Sequence, residues 1–587
     1  MRAEKEDAVA AVAREKARWQ MPSAAELKKM APAREEYLFL LLSIFIGLIS
    51  GLLVVSFRMA IEWLNVLMLG SAPGARQPRL LIAPAAAGLV VAVLARWVFP
   101  NVRGSGVNQT KAALYINNGY ISFRTVIGKF LCSALAIGGG HSLGPEDPSL
   151  QIGAGVASLI SRRVGLSREK LRVFAPVGAA AGLAAAFNAP ISAILFVIEE
   201  VIGTWSSAVL GSIVLSAVAS VVIARWFWGS EPMFRIPAVN LRDPRELLAY
   251  AVLGLLGGAA SLLFTQALGY LRPRLRRVSA NWQMLQPAAA GLLVGGIGYL
   301  GFPQVMGPGY GAIDQAMHAE FAWKMLLALA LLKMLATTLS FSSGTPGGMF
   351  APTLFVGAMF GAAVGSVEKM YSPHFTGSVG SYALVGMGVL FASFMRAPLT
   401  SVFMVLEVSG NYSIIVPVIL ANTIAYLFAR ALQPVPIFEI FTQQDGLELP
   451  SMEEKREEND LHLEDALEAV PDRTFEGSAT AGAVMERLGE ARPAAVLIRC
   501  SGQQWYAARL EEVEKFALEE KDAPEDVSLE SRLGRERVPV LFPDQGLDHA
   551  LPYFSRWPLL PVTNRSARGA IEGVVTLDGV LKRYQRM

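Results

Sequence analysis

The sequence predicts an all-α polytopic membrane protein with internal repeats and broken helices, followed by a small α/β domain. Of its 587 residues, 53% are hydrophobic and only 17% are charged, and the mean hydropathy is +0.41, which is more apolar than a soluble protein. Apolar segments continue from Tyr37 to about Leu432, and charged residues become frequent from about Gln443. We therefore divide the chain into an N-terminal segment (1–36), a membrane domain (37–442) and a tail (443–587).

Two kinds of apolar segment occur in the membrane domain. Segments long enough, or nearly so, to cross roughly 30 Å of hydrocarbon occupy residues 38–55, 81–98, 247–271, 323–339 and 414–432. Shorter segments interrupted by glycine or proline occupy residues 123–137, 150–160, 173–187, 191–201, 350–364 and 399–408. Half-length helices inside a membrane must end in protein or at a water-filled cavity, so these segments predict a central site.

A loop rich in glycine and proline lies between two of the short segments, at residues 138–154. Pro148 is acceptable in the first turn of a helix but not in its interior, so the loop predicts a helix that begins at about Glu146. The start of a helix carries unpaired N–H groups and a partial positive charge. The loop is therefore a candidate anion site, which the Glu146 carboxylate could itself occupy when ionised.

The same pattern recurs about 204 residues later. Residues 342–358 repeat the glycines and proline of 138–154, with Gly144 matching Gly348 and Pro148 matching Pro352. A second pair, residues 188–199 and 396–407, repeats at nearly the same offset. Duplicated halves with interrupted helices at matching places are typical of transporters that bind an ion near the membrane midplane.

Three short motifs make the resemblance specific: Gly104-Ser-Gly-Val-Asn108, Gly144-Pro-Glu-Asp-Pro148 and Gly348-Met-Phe-Ala-Pro352. In sequence and order they resemble the CLC family of chloride channels and proton-coupled chloride exchangers, over roughly residues 37–445. The resemblance implies inverted repeats, with halves at about 37–228 and 245–433. It also implies a homodimer in a cell membrane, expected to be a prokaryotic inner membrane, with one anion path per subunit and both termini in the cytoplasm.

The resemblance implies one central anion site, with bound chloride and no other cofactor. Ser105 would offer its hydroxyl, Met349 and Phe350 would offer backbone N–H groups, and Glu146 would compete with the anion as a gate. Ser105 and Phe350 match the chloride type of the family and disfavour a fluoride-specific relative. Phe438 stands where the family has a tyrosine whose hydroxyl reaches the anion, so we expect weaker anion binding or looser coupling.

Other positions bear on proton coupling. Glu200 matches the inner proton acceptor of the exchangers, which favours chloride/proton antiport over a passive voltage- or pH-gated channel. Glu199 aligns with Glu407 in the second half, so we predict a structural place for it with at most a modulating role. Asp147 stands where the family has glycine, and we expect it to modulate the gate, either by sharing the role of Glu146 or by altering its proton affinity.

Further departures and matches surround these positions. Pro145 replaces an arginine and Asn108 replaces a proline of the family pattern. Lys111 and Lys129 resemble family positions and are expected to balance internal charge instead of contacting the substrate.

The tail resembles a pair of CBS domains. Strand and helix patterns alternate at residues 538–542, 547–554, 559–563 and 570–576, and residues 494–516 resemble part of a degenerate partner. Nucleotide-binding CBS domains place an aspartate three residues after a threonine or serine. Thr576 is followed at that position by Gly579, with Asp578 one place early, so we expect a structural or dimer-stabilising tail without a nucleotide.

Composition narrows the remaining possibilities. The formal net charge of +3 gives no support for nucleic-acid binding. Cys132 and Cys500 form no disulfide framework or metal pattern. Residues 1–36 lack a signal peptide's apolar core and are expected to form a surface helix or a solvated segment. The charged run 453–460 is expected to be a linker. Basic residues occur in many loops, so their distribution alone does not fix the orientation.

Two hypotheses from other classes are less favoured. An intramembrane hydrolase could use His141, Glu146 and Asp147, but the chain has only 5 histidines and no His-Glu-x-x-His motif. A CBS-based sensor anchored by the membrane domain would transport nothing. We therefore predict a transport protein and not an enzyme.

Overall fold

The computed structural model describes residues 24–585 except for 71–75, 165–167, 204–206, 235–242, 373–376, 448, 451, 453–460, 470–473, 490–492, 494, 501–503, 523–526, 534–536 and 566–570. These residues fall into two compact units, divided between Met452 and Glu453. The division comes ten residues after the predicted boundary at 442/443. The predicted linker at 453–460 and the first 23 residues of the N-terminal segment lie outside the described residues.

The first half of the membrane unit contains these helices: α1 Ala24–Leu69, α2 Pro78–Val93, α3 Val107–Tyr115, α4 Phe123–Gly138, α5 Glu146–Ser161, α6 Arg168–Phe187, α7 Pro190–Phe196 and α8 Ser207–Trp228. Short π-helical turns extend α2 over Leu94–Val98 and α7 over Val197–Ile202. The predicted start of α5 at Glu146 is confirmed.

The second half contains α9 Glu246–Arg276, α10 Ala280–Gln283, α11 Gln286–Tyr299, α12 Tyr310–Met317, α13 Trp323–Ser342, α14 Phe350–Tyr371, α15 Val379–Met395, α16 Pro398–Ser409, α17 Ile415–Leu432 and α18 Ile437–Gln444. Short 3₁₀ turns cover Pro303–Val305 and Tyr412–Ile414.

Among the described residues, seven helices are long and apolar enough to cross a membrane. They are Tyr37–Leu69, Pro78–Val98, Val209–Trp228, Glu246–Arg276, Trp323–Ser342, Phe350–Tyr371 and Tyr412–Gln444. Each of the five predicted long segments lies within one of them. Two expectations were wrong. The helix from Phe350 has 22 residues, so it is not a half-length segment, and α8 had been missed.

The first helix is longer than its apolar core. It starts at Ala24 and continues to Leu69, so the end of the predicted N-terminal segment is continuous with the first membrane helix. The described part of that segment is therefore not a separate surface helix.

The two halves of the membrane unit pack in matching ways. Helix α5 lies along α6, and its counterpart α14 lies along α15. A Cβ on Gly153 would lie 2.1 Å from the carbonyl oxygen of Gly178, and a Cβ on Gly357 would lie 2.3 Å from that of Gly386. Glycine allows the backbones of each pair to approach closely, which explains why the repeat retains glycine at these positions.

The tail unit contains two small sheets. Strands β1 Thr474–Glu476, β2 Ala495–Cys500 and β3 Gln504–Arg509 form one sheet, with β1 parallel and β3 antiparallel to β2. Strands β4 Leu559–Thr563 and β5 Ile571–Thr576 form an antiparallel pair. Four helices accompany them: α19 Ala481–Leu488, α20 Leu510–Asp522, α21 Leu529–Arg532 and α22 Leu577–Tyr584.

The tail matches its predicted α/β character, with local differences. Strands β4 and β5 lie where the alternating patterns predicted them. Residues 547–554 form two short 3₁₀ turns instead of a helix, and the 538–542 segment contributes only an isolated bridge between Leu541 and Val562. Three prolines, at 543, 552 and 558, lie in or beside this region and disfavour a longer helix.

Candidate anion site

The two repeated loops meet directly at the centre of the membrane unit. The N–H of Gly144 donates to the carbonyl of Gly348 at 2.8 Å, and the N–H of Gly348 donates back to Gly144 at 2.7 Å. Because each loop leads into a helix, the starts of α5 and α14 come together at this bridge. Two partial positive charges therefore converge on one buried region.

A third helix start joins them. Gly106, with a φ of +125°, is the N-cap of α3, a conformation that glycine adopts readily. A Cβ on Gly106 would lie 2.5 Å from the carbonyl oxygen of Asp147 in α5. The N-cap is therefore Gly106, one residue after Ser105. The Ser105 hydroxyl still accepts from the N–H of Val107 at 3.3 Å.

The Glu146 carboxylate is fully buried and lies across the facing helix start. Its Oε2 accepts from the N–H of Ala351 at 3.4 Å, and its Oε1 accepts from the hydroxyl of Tyr310. Glu146 thus uses donors from two elements of the second half. The carboxylate occupies the kind of position that the sequence predicts for an anion.

Sequence reasoning missed Tyr310, although the repeat contained its signal. Gly307-Pro308-Gly309 lies 203 residues after Gly104-Ser105-Gly106, and Gly309 is the N-cap of α12 as Gly106 is of α3. Extending the two recognised repeat pairs to this third pair would have placed Tyr310 beside the site. Tyr310 is the first residue of α12, which explains why its hydroxyl can reach Glu146.

The two loops before α3 and α12 are anchored in the same way. The Lys129 ammonium donates to the carbonyls of Val102 at 3.1 Å and Gly104 at 2.6 Å. Lys333 in the second half donates to Val305 at 3.0 Å and Gly307 at 2.6 Å. Both ammonium groups are buried. Lys129 therefore anchors the loop before α3, and that it does not contact substrate stays a prediction.

Asp147 lies one residue beyond Glu146 and reaches the same facing helix start. Its Oδ2 accepts from the N–H of Met349 at 3.0 Å. The Met349 N–H was predicted to face the anion and here faces a carboxylate. The neighbouring Phe350 places its ring among Phe187, Phe196 and Phe391, at centroid distances of 4.7 to 5.8 Å. The side chain of Phe350 therefore belongs to the aromatic core.

Phe438, where the family has a tyrosine, is fully buried. Its ring lies 6.5 Å from that of Phe196, and its carbonyl oxygen accepts from Nδ2 of Asn108 at 2.9 Å. A polar side chain at position 108 is thus used to hold the start of α18 against α3. Phe438 itself supplies no side-chain donor, because phenylalanine has none.

Glu200 lies on the π-helical turn after α7 and is buried. It forms an ion pair with Lys111 on α3. The Lys111 Nζ lies 5.8 Å from the centroid of the Phe438 ring. π-Helical turns often mark functional positions. Lys111 balances internal charge, as predicted, and its partner is the residue predicted to accept protons.

Glu199 makes a different set of contacts. Its carboxylate accepts from the N–H groups of Leu399 and Thr400 and from the Thr400 hydroxyl, at 2.6 to 3.1 Å. Glu407 accepts in the same way from Ile191 and Ser192 at the start of α7. Each glutamate caps a helix of the other half. These reciprocal contacts agree with a structural place for Glu199.

Two cavities lined by described residues adjoin the site in the membrane unit. One, of about 850 Å³, is lined by Pro145 and Tyr310, which adjoin Glu146, and by Arg58 and Glu62. The other, of about 380 Å³, is lined by Gly104 beside Ser105 and by three arginines. These arginines are Arg103, Arg272 and Arg276.

The second cavity is positively charged. Arg272 and Arg276 both contact Asp445, with Arg272 Nη2 at 2.7 Å from Oδ1. Two guanidinium groups thus share one carboxylate, and Arg103 adds a third. A cavity lined by charge of one sign raises the local concentration of the opposite ion, so this cavity attracts anions.

The repeated loops and converging helix starts agree with comparisons to known proteins. Residues 87–430 match the family described as "Voltage gated chloride channel", which is more than half of the chain. The chain belongs to this family, the CLC family. A ClcB-like chloride channel protein from Ralstonia nicotianae is 32% identical over 398 residues, covering 66% of this chain and 92% of the relative. The H(+)/Cl(−) exchange transporter ClcA of Citrobacter koseri is 30% identical over 414 residues, covering 68% of this chain and 87% of the relative.

Solved CLC structures share the fold. A slow cyanobacterial Cl⁻/H⁺ antiporter superposes with a TM-score of 0.63 at 24% identity, covering 69% of this chain and 97% of that one. A eukaryotic CLC transporter superposes with a TM-score of 0.60 at 20% identity, covering 93% and 98%. The second match extends over the tail as well as the CLC membrane domain.

Proposed function

We propose that this protein transports chloride across a membrane in exchange for protons. The observation that carries the proposal is the Glu146 carboxylate, buried across the start of α14 with Ala351 and Tyr310 as its donors. Backbone N–H groups at a helix start that hold a carboxylate can also hold a halide. Chloride and ionised Glu146 would therefore compete for one position, and a protonated Glu146 would give it up.

The two cavities supply the approaches to that position. Anions would gather in the cavity lined by Arg103, Arg272 and Arg276 and enter beside Ser105. They would leave past Pro145 and Tyr310 into the larger cavity. The opposite direction is equally available, because an exchanger follows the combined gradients of both ions.

Protons would reach Glu146 by way of Glu200. Glu200 is buried and paired with Lys111. The rings of Phe196, Phe350 and Phe438 pack together near the Glu200 turn, so the route is largely apolar. A proton would cross it on transient water molecules, which makes the proton step slow. A relative named as an H(+)/Cl(−) exchange transporter supports exchange.

The assembly and location follow the family. We propose a homodimer in a cell membrane with both termini in the cytoplasm. The tail would act in assembly and not as a nucleotide sensor, because the Thr576 hydroxyl is already used. It accepts from the N–H of Gly579 at 3.0 Å and donates to Glu468 at 2.6 Å.

A passive chloride channel is the second candidate. Phe438 supplies no hydroxyl to a central anion, and Lys111 pairs with the proposed proton acceptor Glu200. Both features would loosen coupling, and one relative is named as a chloride channel protein.

Flux measurements in liposomes separate the two candidates. Purified protein is reconstituted with equal chloride on both sides, and a pH gradient is imposed. An exchanger drives net chloride movement against its own gradient, in proportion to the protons moved. Chloride movement that never responds to the pH gradient would identify a channel. Absence of any chloride flux would refute both candidates and favour an anchored CBS-based sensor.

A further inference from the structure

A second buried carboxylate shares the site with Glu146. Asp147 is the second residue of α5, and its side chain is fully buried. Its Oδ2 accepts from the N–H of Met349, while Glu146 Oε2 accepts from the N–H of Ala351. Two adjacent acids therefore take two N–H groups at the start of the same facing helix.

Close backbone contacts hold Asp147 between the converging helix starts. A Cβ on Gly348 would lie 2.9 Å from the Asp147 carboxyl carbon, so the side chain fills the space beside the start of α14. The Asp147 carbonyl oxygen lies 2.5 Å from the Cβ position of Gly106 at the start of α3. The Asp147 backbone thus contacts the loop that carries Ser105, whereas the Glu146 carboxylate bonds Tyr310, which lines the larger cavity.

One oxygen of Asp147 is left without a protein donor. Oδ1 is buried and has no hydrogen-bond partner among the described residues. An unsatisfied buried carboxylate oxygen is costly. A site that tolerates this cost is suited to reversible binding, either of a proton to the Asp147 carboxylate or of an anion that replaces the carboxylate.

We infer that the Asp147 carboxylate is a second competitor for the transported anion, occupying the inner of two consecutive anion positions while Glu146 occupies the outer one. The inference rests on the proposed function. An anion entering beside Ser105 would first meet the position at Met349 and would have to displace Asp147 before it meets Glu146. The ligand class is a small monovalent anion, and the full path would require both acids to withdraw.

The test uses chloride binding to the purified full-length protein, measured by isothermal titration calorimetry. Asp147→Asn keeps an oxygen that can accept from Met349 and removes the negative charge. Glu146→Gln does the same for the outer position. We expect each substitution to lower the dissociation constant for chloride at least tenfold. Glu407→Gln, which removes a partly buried carboxylate that caps a helix, serves as the control and should change it less than twofold.

The occupied position is tested by diffraction. Crystals of Asp147→Gly soaked in bromide should show anomalous density within hydrogen-bond distance of the Met349 N–H, where the wild-type protein shows none. Unchanged chloride affinity in Asp147→Asn, with increased affinity in Glu146→Gln, would overturn this inference alone. No chloride binding in the wild type, in Glu146→Gln or in Asp147→Asn would overturn the proposed function together with the inference. Equal gains in chloride affinity in Asp147→Asn and Glu407→Gln, without bromide density at the Met349 N–H, would show that removing any negative charge has the same effect. That result would also overturn the inference.

Discussion

Removing the hydroxyl of Tyr310 should release the Glu146 carboxylate and strengthen chloride binding. In Tyr310→Phe the ring keeps its place beside Phe234, whose ring centroid lies 6.5 Å away, and only the donor to Glu146 Oε1 is lost. The ionised gate then keeps the longer bond from Ala351, at 3.4 Å. Under the proposed function chloride competes with Glu146, so chloride should bind more tightly.

The size of the effect follows from that one bond. A hydrogen bond to a charged group contributes about 1.5–3 kcal/mol. Since 1.4 kcal/mol is a factor of ten, the dissociation constant for chloride should fall by about ten- to a hundredfold. Isothermal titration calorimetry measures this directly.

A double-mutant cycle identifies the cause. In Glu146→Gln no charged gate remains, so adding Tyr310→Phe should change the chloride affinity by less than threefold. An equal gain in both backgrounds would refute the reasoning, because the hydroxyl would then act on something other than the gate. Weaker binding in both backgrounds would show that the Tyr310 hydroxyl contacts the anion itself.

Three further predictions follow from the buried contacts. Lys111→Met removes the ammonium group that pairs with Glu200. Proton flux should then rise relative to chloride flux when both are recorded in one liposome sample. An unchanged ratio of the two fluxes would exclude a role for the ion pair in proton coupling. Glu199→Ala and Glu407→Ala each remove a carboxylate that accepts from two N–H groups and one hydroxyl at a helix start. Each should cost about 1–2 kcal/mol of stability and lower the thermal midpoint in detergent by a similar amount. A much larger fall in the midpoint for one of them would contradict their equivalence. Gly153→Ala places a Cβ 2.1 Å from the carbonyl oxygen of Gly178 and should cost about 1–3 kcal/mol. In the control Gly211→Ala the nearest neighbouring atom lies 4.0 Å from the new Cβ, so the midpoint should stay the same or rise slightly, because alanine favours a helix more than glycine does.

The repeat made the centre of the fold predictable. Matching loops around Gly144 and Gly348 predicted two helix starts, and the structure places those glycines in a mutual bridge. The prediction was possible because glycine and proline, which interrupt helices, recur at a fixed offset between the two halves. The length of α14 was harder to predict, because its glycines at 357, 361 and 365 resemble interruptions and in fact allow close packing against α15.

Contacts between distant segments could not be read from the sequence. The repeat could have placed Tyr310 near the site, but no pattern indicates that its hydroxyl bonds Glu146. Nor does any pattern indicate that Lys111 pairs with Glu200 or that Asn108 bonds the carbonyl of Phe438. These contacts depend on how distant helices pack, within the first half for Lys111 and Glu200 and between the two halves for Tyr310 and Glu146. Residue type alone showed only that buried charges and donors in this region need partners.

The duplication explains both the symmetry of the scaffold and the asymmetry of the site. Buried lysines 129 and 333 anchor equivalent loops, and glutamates 199 and 407 cap each other's helices. The equivalence ends at the helix starts, where α5 carries Glu146 and Asp147 while α14 carries Phe350 and Ala351 at the matching places. One half therefore supplies the acids and the other supplies the N–H groups that receive them. Because an acid can leave such donors while a helix start cannot, the carboxylates are the parts of the site able to exchange places with an anion.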